Sequence, residues 1–251
     1  MAKNRDRTEA PITLLANQVH VWHAHLYPSD SQLTHFQTLL SPDEIKRGRR
    51  FKSTQHQQDF ISARGVLRLI LSRYVSALPE TLKFAQGPHG KPFLTNPTTP
   101  CYQFNVSHSH HHALYAVAVE REVGIDIEYH RRPLELHALI RRICSPAEQM
   151  VFSTLSPPEF ERCFFACWTR KEAYLKATGK GMSIPLSSIT VSLPPSECTT
   201  LIHVQGADQE SLYWSMDNLF IEPDYSASLV VYGSQDYSIS RFEWSWDALN
   251  P

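Results

Sequence analysis

Hydrophobic and polar positions divide the chain into alternating strands and helices. Gln18 to Leu26, rich in Val, Trp and His, reads as a strand. Ser41-Pro42-Asp43-Glu44 is a helix start, with Ser as N-cap, Pro at the first helical position and Glu closing a capping box. A second helix is predicted from about Gln57 to Ala77, where Phe60, Ala63, Leu67, Ile70 and Leu71 recur at helical spacing. Leu78-Pro79 stops it. Gly87-Pro88-His89-Gly90 then reads as a turn and Asn96 to Pro100 as a loop. Two strands follow, ending at Val119 and Glu128 and separated by a polar turn near Arg121.

The later half repeats this plan. Ser145-Pro146-Ala147-Glu148 is another capping box, 104 residues after the first. At the same offset Phe60 falls on Phe164 and Ala63 on Cys167, and Ile184-Pro185 ends the second long helix as Leu78-Pro79 ends the first. The order predicts two related α/β lobes, with a boundary in the turn at Arg121-Glu122 and domains of 1–121 and 122–251. Beyond Ser211 the tail reads as short strands, including Ser226 to Tyr232 and Tyr237 to Trp244.

Composition narrows the function. With 251 residues, 42% hydrophobic and 20% charged, the chain is an ordinary globular protein. A formal net charge of −1 argues against a broad grip on nucleic acid, so any polyanion has to be held by a local basic site. The near-apolar run Ala113 to Val119 is too short to span a bilayer, and no apolar stretch follows the charged start, so neither a membrane role nor secretion is expected. Five scattered cysteines, with Cys163 and Cys167 on one helical face, suit a reducing cytoplasm.

Three motifs carry candidate chemistry. In Gly124-Ile125-Asp126-Ile127-Glu128, alternation places both carboxylates on one strand face. They repel unless a cation lies between them, and hard cations such as magnesium favour such oxygen-rich sites; a wet acidic face is the plainer reading. In the helix from Trp168, Glu172 and Lys176 share a stripe with Trp168, either as an ordinary i, i+4 ion pair or as a partly buried functional face. In Phe104-Asn105-Val106-Ser107-His108-Ser109, the Ser-His pair leaving a strand can hold phosphate oxygens. Neighbouring Ser107 and His108 point to opposite faces, which makes a nucleophilic dyad a poor reading. Zinc is set aside for His108, His110, His111 and His112, which lack ligand spacing and a Cys partner. Gly87 to Pro92 lacks the pattern of a Walker phosphate loop.

Taken in order, FNVSHS, GIDIE and WTRKEAYLKATGKG resemble the 4′-phosphopantetheinyl transferases of the larger, surfactin-synthetase-activating type. Gly90-Lys91-Pro92 and the stretch Ser41 to Phe51 fit as well, and the similarity runs from about Ser41 to Pro185. The resemblance implies an α+β fold of two similar lobes in pseudo-twofold arrangement, with the active site in the cleft between them. It implies transfer of the phosphopantetheine arm of coenzyme A to a serine of apo acyl or peptidyl carrier proteins, releasing 3′,5′-ADP, with magnesium (or manganese) as cofactor. Asp126, Glu128 and Glu172 match the metal carboxylates, with Glu172 also the base for the carrier serine. Lys176 matches the lysine on the pyrophosphate. Arg47, Lys91 and His108 match coenzyme A phosphate positions, Ser107 lies beside them, and Arg64 is a further candidate. Asp59 and Gln86 stand where relatives carry arginine, which leaves the 3′-phosphate pocket open. The alternatives are a non-catalytic coenzyme A or carrier-binding module and a metal-dependent phosphoesterase. Arg131 to Ile143 is expected to be an amphipathic helix, with its arginines toward an acidic carrier. A monomer is expected, because the two lobes supply their own cleft.

Overall fold

The computed structural model describes residues 11–96, 98–131, 136–194 and 199–246. The first lobe runs β1 (Gln18–His25), α1 (Asp30–Leu39), α2 (Pro42–Gly48), α3 (Thr54–Val75), β2 (Phe84–Gln86), β3 (Pro92–Leu94), β4 (Tyr102–Ser109) and β5 (His112–Val119). The second runs β6 (Val123–Tyr129), α4 (Leu136–Ile143), α5 (Pro146–Phe152), α6 (Pro157–Thr178), β7 (Ile189–Val191), β8 (Leu201–Val204), β9 (Trp214–Asn218) and β10 (Tyr225–Tyr232). A last strand, β11 (Ser238–Glu243), follows.

The repeat read from the sequence is present in the backbone. Ser41 and Ser145 both form complete capping boxes, each with Pro in the first turn and Glu at the third position. The helices that follow, α3 and α6, are each 22 residues long. Strand order β1-β5-β4 in the first lobe matches β6-β10-β9 in the second. The chain is therefore α+β with two similar lobes.

Alternation along the strands explains how the lobes join. On β5, Ala113, Tyr115, Val117 and Val119 pack into the core beneath α3, while Leu114, Ala116 and Ala118 face the other way. There they meet Val123, Ile125 and Ile127 of β6 and Leu229 and Val231 of β10. The apolar run Ala113 to Val119 is thus a strand buried on both faces. Each fully buried Val, Leu or Ile is worth about 1.5–3 kcal/mol, so this shared layer holds the lobes firmly together. The second core lies between α6, the end of α4 and the strands β7 to β10.

The tail departs from the expected division at residue 121. Instead of staying with residues 122–251, β11 pairs in parallel with β1, from Gln18↔Ser238 to His23↔Glu243. Phe242 stacks on Trp22 at 4.6 Å between centroids, and Trp244 is buried in the first-lobe core. The free edge of β1 offers unpaired backbone groups, and covering it with the chain's own tail satisfies them. Of the stretch Arg131 to Ile143, Arg131 is not helical and the amphipathic helix α4 begins at Leu136, with Ile140 and Ile143 buried and Arg141 and Arg142 exposed. Arg132 and Leu134 lie outside the described residues.

Candidate active site

The cleft is built where β4 of the first lobe runs beside β6 of the second. Alternate polar side chains of β4 stitch the two strands. Asn105 Oδ1 accepts from the Ile125 amide at 3.0 Å, and Ser109 Oγ accepts from the Tyr129 amide at 3.0 Å. Ser107 Oγ donates to Asp126 Oδ1 at 2.8 Å, and Ser109 Oγ donates to Glu128 Oε2 at 3.1 Å. The face of β6 opposite Ile125 and Ile127 thereby presents Gly124, Asp126 and Glu128 to the cleft.

Helix α6 lies directly on that face at Gly124. A Cβ there would overlap the Ala173 carbonyl oxygen and the Ala177 nitrogen, and would sit 2.8 Å from Ala177 Cα. Only glycine permits this approach. It brings the next residues of α6, Glu172 and Lys176, over Asp126. The helix then ends at Gly179, whose φ of 64° is the left-handed C-cap that favours glycine.

Lys176 does not pair with Glu172 along the helix, the bland possibility for this stripe. Its Nζ reaches across to Asp126 Oδ1 at 2.6 Å and Ser107 Oγ at 2.8 Å. An ammonium has three donors, so one remains for a ligand. Among the described residues no donor hydrogen-bonds to Glu172. Burial raises the pKa of Glu172, and Asp126 adds to the rise while Lys176 opposes it. Burial and then Asp126 also raise Glu128, against Ser109, Lys176 and Arg131. Asp126 is buried, and its Oδ2 has no hydrogen-bond partner. An orphaned carboxylate oxygen beside two carboxyl groups that resist ionisation calls for a cation. The donor set, all oxygen, fits magnesium or manganese.

The basic candidates divide into two groups. Arg64 is spent inside its own lobe: Nε donates to Glu44 Oε1 at 2.8 Å, Nη2 donates to the same oxygen, and the guanidinium lies 4.6 Å from the Phe84 ring centroid. Arg68 joins it on Glu44 Oε2 at 2.6 Å. Lys91 donates to Glu122 Oε2 at 2.5 Å and to the Ala177 carbonyl at 2.8 Å. It thus caps the last turn of α6 from the opposite lobe and helps to fix Lys176. Arg47 and His108 are exposed, with Arg47 over the Phe60 ring at 5.5 Å. Although His108 reaches solvent, its ring stands among Asp59, His56 and Lys176; desolvation by the surrounding protein lowers its pKa first, Lys176 and His56 lower it further, and Asp59 opposes. Asp59 is buried and accepts from Gln55 Nε2 at 2.8 Å. Gln86 lies exposed at the end of β2.

Two family models meet at the lobe boundary. The model for the N-terminal part of 4′-phosphopantetheinyl transferases matches residues 24–121, and that for the 4′-phosphopantetheinyl transferase superfamily matches 122–230. The 4′-phosphopantetheinyl transferase HetI of Nostoc sp. is 37% identical over 223 residues, 88% of this chain and 91% of that protein. The chain belongs to the 4′-phosphopantetheinyl transferase family. The transferase Sfp of Bacillus subtilis is 28% identical, over 66% of this chain and 71% of its own length. The solved holo-(acyl-carrier-protein) synthase from Bacillus anthracis strain Ames in complex with CoA (3′,5′-ADP) is 22% identical, covering 45% of this chain and 96% of that one at a TM-score of 0.38.

Within this member of the family, sequence patterns missed several residues that build the site. Asn105 and Ser109 flank Ser107 at every second position of β4, and that polar alternation was a readable sign of a strand face turned to other strands. Arg170 and Lys171, embedded in the same motif as Glu172, are instead buried supports. Lys171 Nζ reaches Glu148 Oε2 at 2.5 Å and the Ile143 carbonyl at 2.8 Å. Arg170 Nη2 reaches Asn218 Oδ1 at 3.1 Å. A separate cavity of about 460 Å³, lined by Thr169, Arg170, Asn218 and Tyr225 among others, contains none of the predicted site residues. No helix among the described residues is long and apolar enough to cross a membrane.

Proposed function

We propose that this chain transfers the phosphopantetheine arm of coenzyme A to a serine hydroxyl of an apo acyl or peptidyl carrier protein, releasing 3′,5′-ADP. The observation that carries this reading is the buried Asp126, with Oδ2 unpartnered, set beside Glu128, Glu172 and Lys176 in a cleft between repeated lobes. Family membership supplies the reaction class, and these residues supply its parts.

Asp126, Glu128 and Glu172 would hold magnesium, with manganese able to replace it. When bound, the ion neutralises charge on the pyrophosphate and polarises the phosphoryl group under attack. Glu172 accepts the proton of the carrier serine, a task suited to a carboxylate whose proton affinity is raised by burial and by Asp126. Lys176, held by Asp126 and Ser107, turns its remaining N–H to the leaving phosphate and stabilises the charge that develops there. Ser107 orients Lys176 and Asp126 and acts through them. Arg47 and His108 meet the phosphates of coenzyme A. Arg64 and Lys91 serve by fixing α3 and the end of α6. The exposed Arg141 and Arg142 of α4 face the acidic carrier, so Arg141→Glu raises the KM for carrier and leaves that for coenzyme A unchanged; an unaltered carrier KM at low salt would remove α4 from the interface.

The test is release of 3′,5′-ADP from coenzyme A in magnesium, with and without apo carrier protein. Release that requires the carrier is expected. Release of free phosphopantetheine without carrier would instead make the protein a phosphoesterase, and no release at all would leave a binding module.

A further inference from the structure

The histidines that lack ligand spacing within their own segment find partners from another strand. His112 opens β5 and pairs across the ladder with His25 of β1, and His23 lies two residues away on the same face of β1. The rings of His23 and His112 are parallel within 8° at 5.0 Å, and His25 lies 4.5 Å from His112 between centroids. His23 and His112 are buried, while His25 is half-buried. One nitrogen from each ring falls within 4.8 Å of the other two.

The outer nitrogens add a second observation. His23 Nε2 and His112 Nδ1 face one another at 2.7 Å. On the far sides, His23 Nδ1 lies 3.0 Å from Glu243 Oε1, and His112 Nε2 lies 3.8 Å from Glu222 Oε1. His23 takes the form of a metal-binding histidine, with the inner nitrogen free for an ion and the outer N–H directed to a carboxylate that fixes the tautomer, while Glu222 stands near His112 outside hydrogen-bond range.

We propose that His23, His25 and His112 form a site for a divalent transition-metal ion, of which zinc fits best, distinct from the carboxylates of the cleft. Three imidazoles suit zinc, copper or nickel, whereas magnesium requires oxygen. Tetrahedral zinc with Zn–N near 2.0–2.1 Å separates its ligand nitrogens by about 3.3 Å. The facing pair at 2.7 Å therefore parts by roughly half an ångström as one hydrogen bond gives way to two coordination bonds. The antiparallel ladder already fixes the strands that carry the ligands. Three protein ligands leave a fourth position for water, on the half-exposed His25 side.

The full chain, stripped with chelator and returned to saturating magnesium, is titrated with zinc chloride in a calorimeter at neutral pH. One equivalent is expected to bind, and cobalt(II) at the same site should give the visible absorption of a tetrahedral centre. Glu243 is largely exposed, so Glu243→Gln tests the site without disturbing the core and should weaken zinc binding about tenfold. His25→Gln should weaken it about a hundredfold or more, on the scale of the strongest outer-partner losses. Asp126→Asn should leave zinc binding unchanged. No zinc binding would reduce the cluster to a hydrogen-bonded histidine stack. Binding unaltered by His25→Gln and Glu243→Gln, or lost in Asp126→Asn, would place the ion elsewhere. Any of these results overturns the proposal, and none bears on the transferase reading.

Discussion

Replacing Gly124 with alanine tests how closely α6 has to lie on β6. The new Cβ would overlap two backbone atoms of α6 and lie 2.8 Å from a third, Ala177 Cα. Carbon atoms in ordinary contact are about 3.5–4.0 Å apart, so relief at that atom alone takes roughly 1 Å. All three atoms are main chain, so no rotamer change can absorb the overlap and the helix has to withdraw. Glu172 and Lys176 withdraw with it, because Ala173 and Ala177 adjoin them in sequence. The Lys176–Asp126 contact, now 2.6 Å, would then lengthen beyond hydrogen-bond range. Misplacing reacting groups by 1 Å costs about a hundredfold in rate. Overpacking costs about 1–3 kcal/mol of stability, or roughly 2–12 °C in Tm for a chain of this size. The assay compares kcat for carrier modification and Tm in parent and Gly124→Ala. Gly87→Ala is the control, since its Cβ would meet only the Lys91 carbonyl oxygen at an ordinary 3.7 Å. A folded Gly124→Ala protein keeping more than about a third of parental kcat would refute the positioning role of this contact.

Other expected outcomes follow from the same geometry. Glu172→Gln and Lys176→Ala each lower kcat by at least about a hundredfold, and losses below about threefold in both would reduce the pair to helix-surface charges. Against coenzyme A, Arg47→Ala and His108→Ala weaken binding about tenfold or more, the loss of a charge-assisted phosphate contact. If they bind the 3′-phosphate, dephospho-coenzyme A should show far smaller losses, and equal losses with both substrates would move them off it. Because the folded pKa values of Glu128 and Glu172 are raised, their contribution to stability without metal is full below the ordinary glutamate value and is lost as pH rises through the raised one. Magnesium binds the ionised groups, so its Tm increment grows from about pH 5 to about pH 8. An equal increment at both pH values would contradict these carboxylates as its ligands.

Local physics made much of the fold legible. The two capping boxes marked α2 and α5, and period-two alternation correctly separated Asp126 and Glu128 from Ile125 and Ile127. Which charged groups actually pair was not legible, because that depends on contacts made after folding. Glu172 and Lys176 have ideal spacing for one another, yet Lys176 turns to Asp126 on a strand 50 residues earlier. Arg64 and Lys91 carry the charge a phosphate ligand needs, but no spacing could show that Glu44, Glu122 and a helix carbonyl engage them in the folded chain. The destination of β11 was equally hidden, since its pairing with β1, the Trp22–Phe242 stack and the burial of Trp244 are all contacts between residues over 200 positions apart in sequence or set by the folded core. The histidine cluster depends on register between β1 and β5, which no spacing within His108 to His112 could show.

The central claim is most directly tested by mass spectrometry of an intact apo carrier protein incubated with this chain, coenzyme A and magnesium. The carrier should gain the mass of one phosphopantetheine group on its serine. The gain should disappear with chelator and with Asp126→Asn, while the folded state of that variant persists. A carrier of unchanged mass under conditions where coenzyme A is consumed, or equal modification by Asp126→Asn, would contradict it.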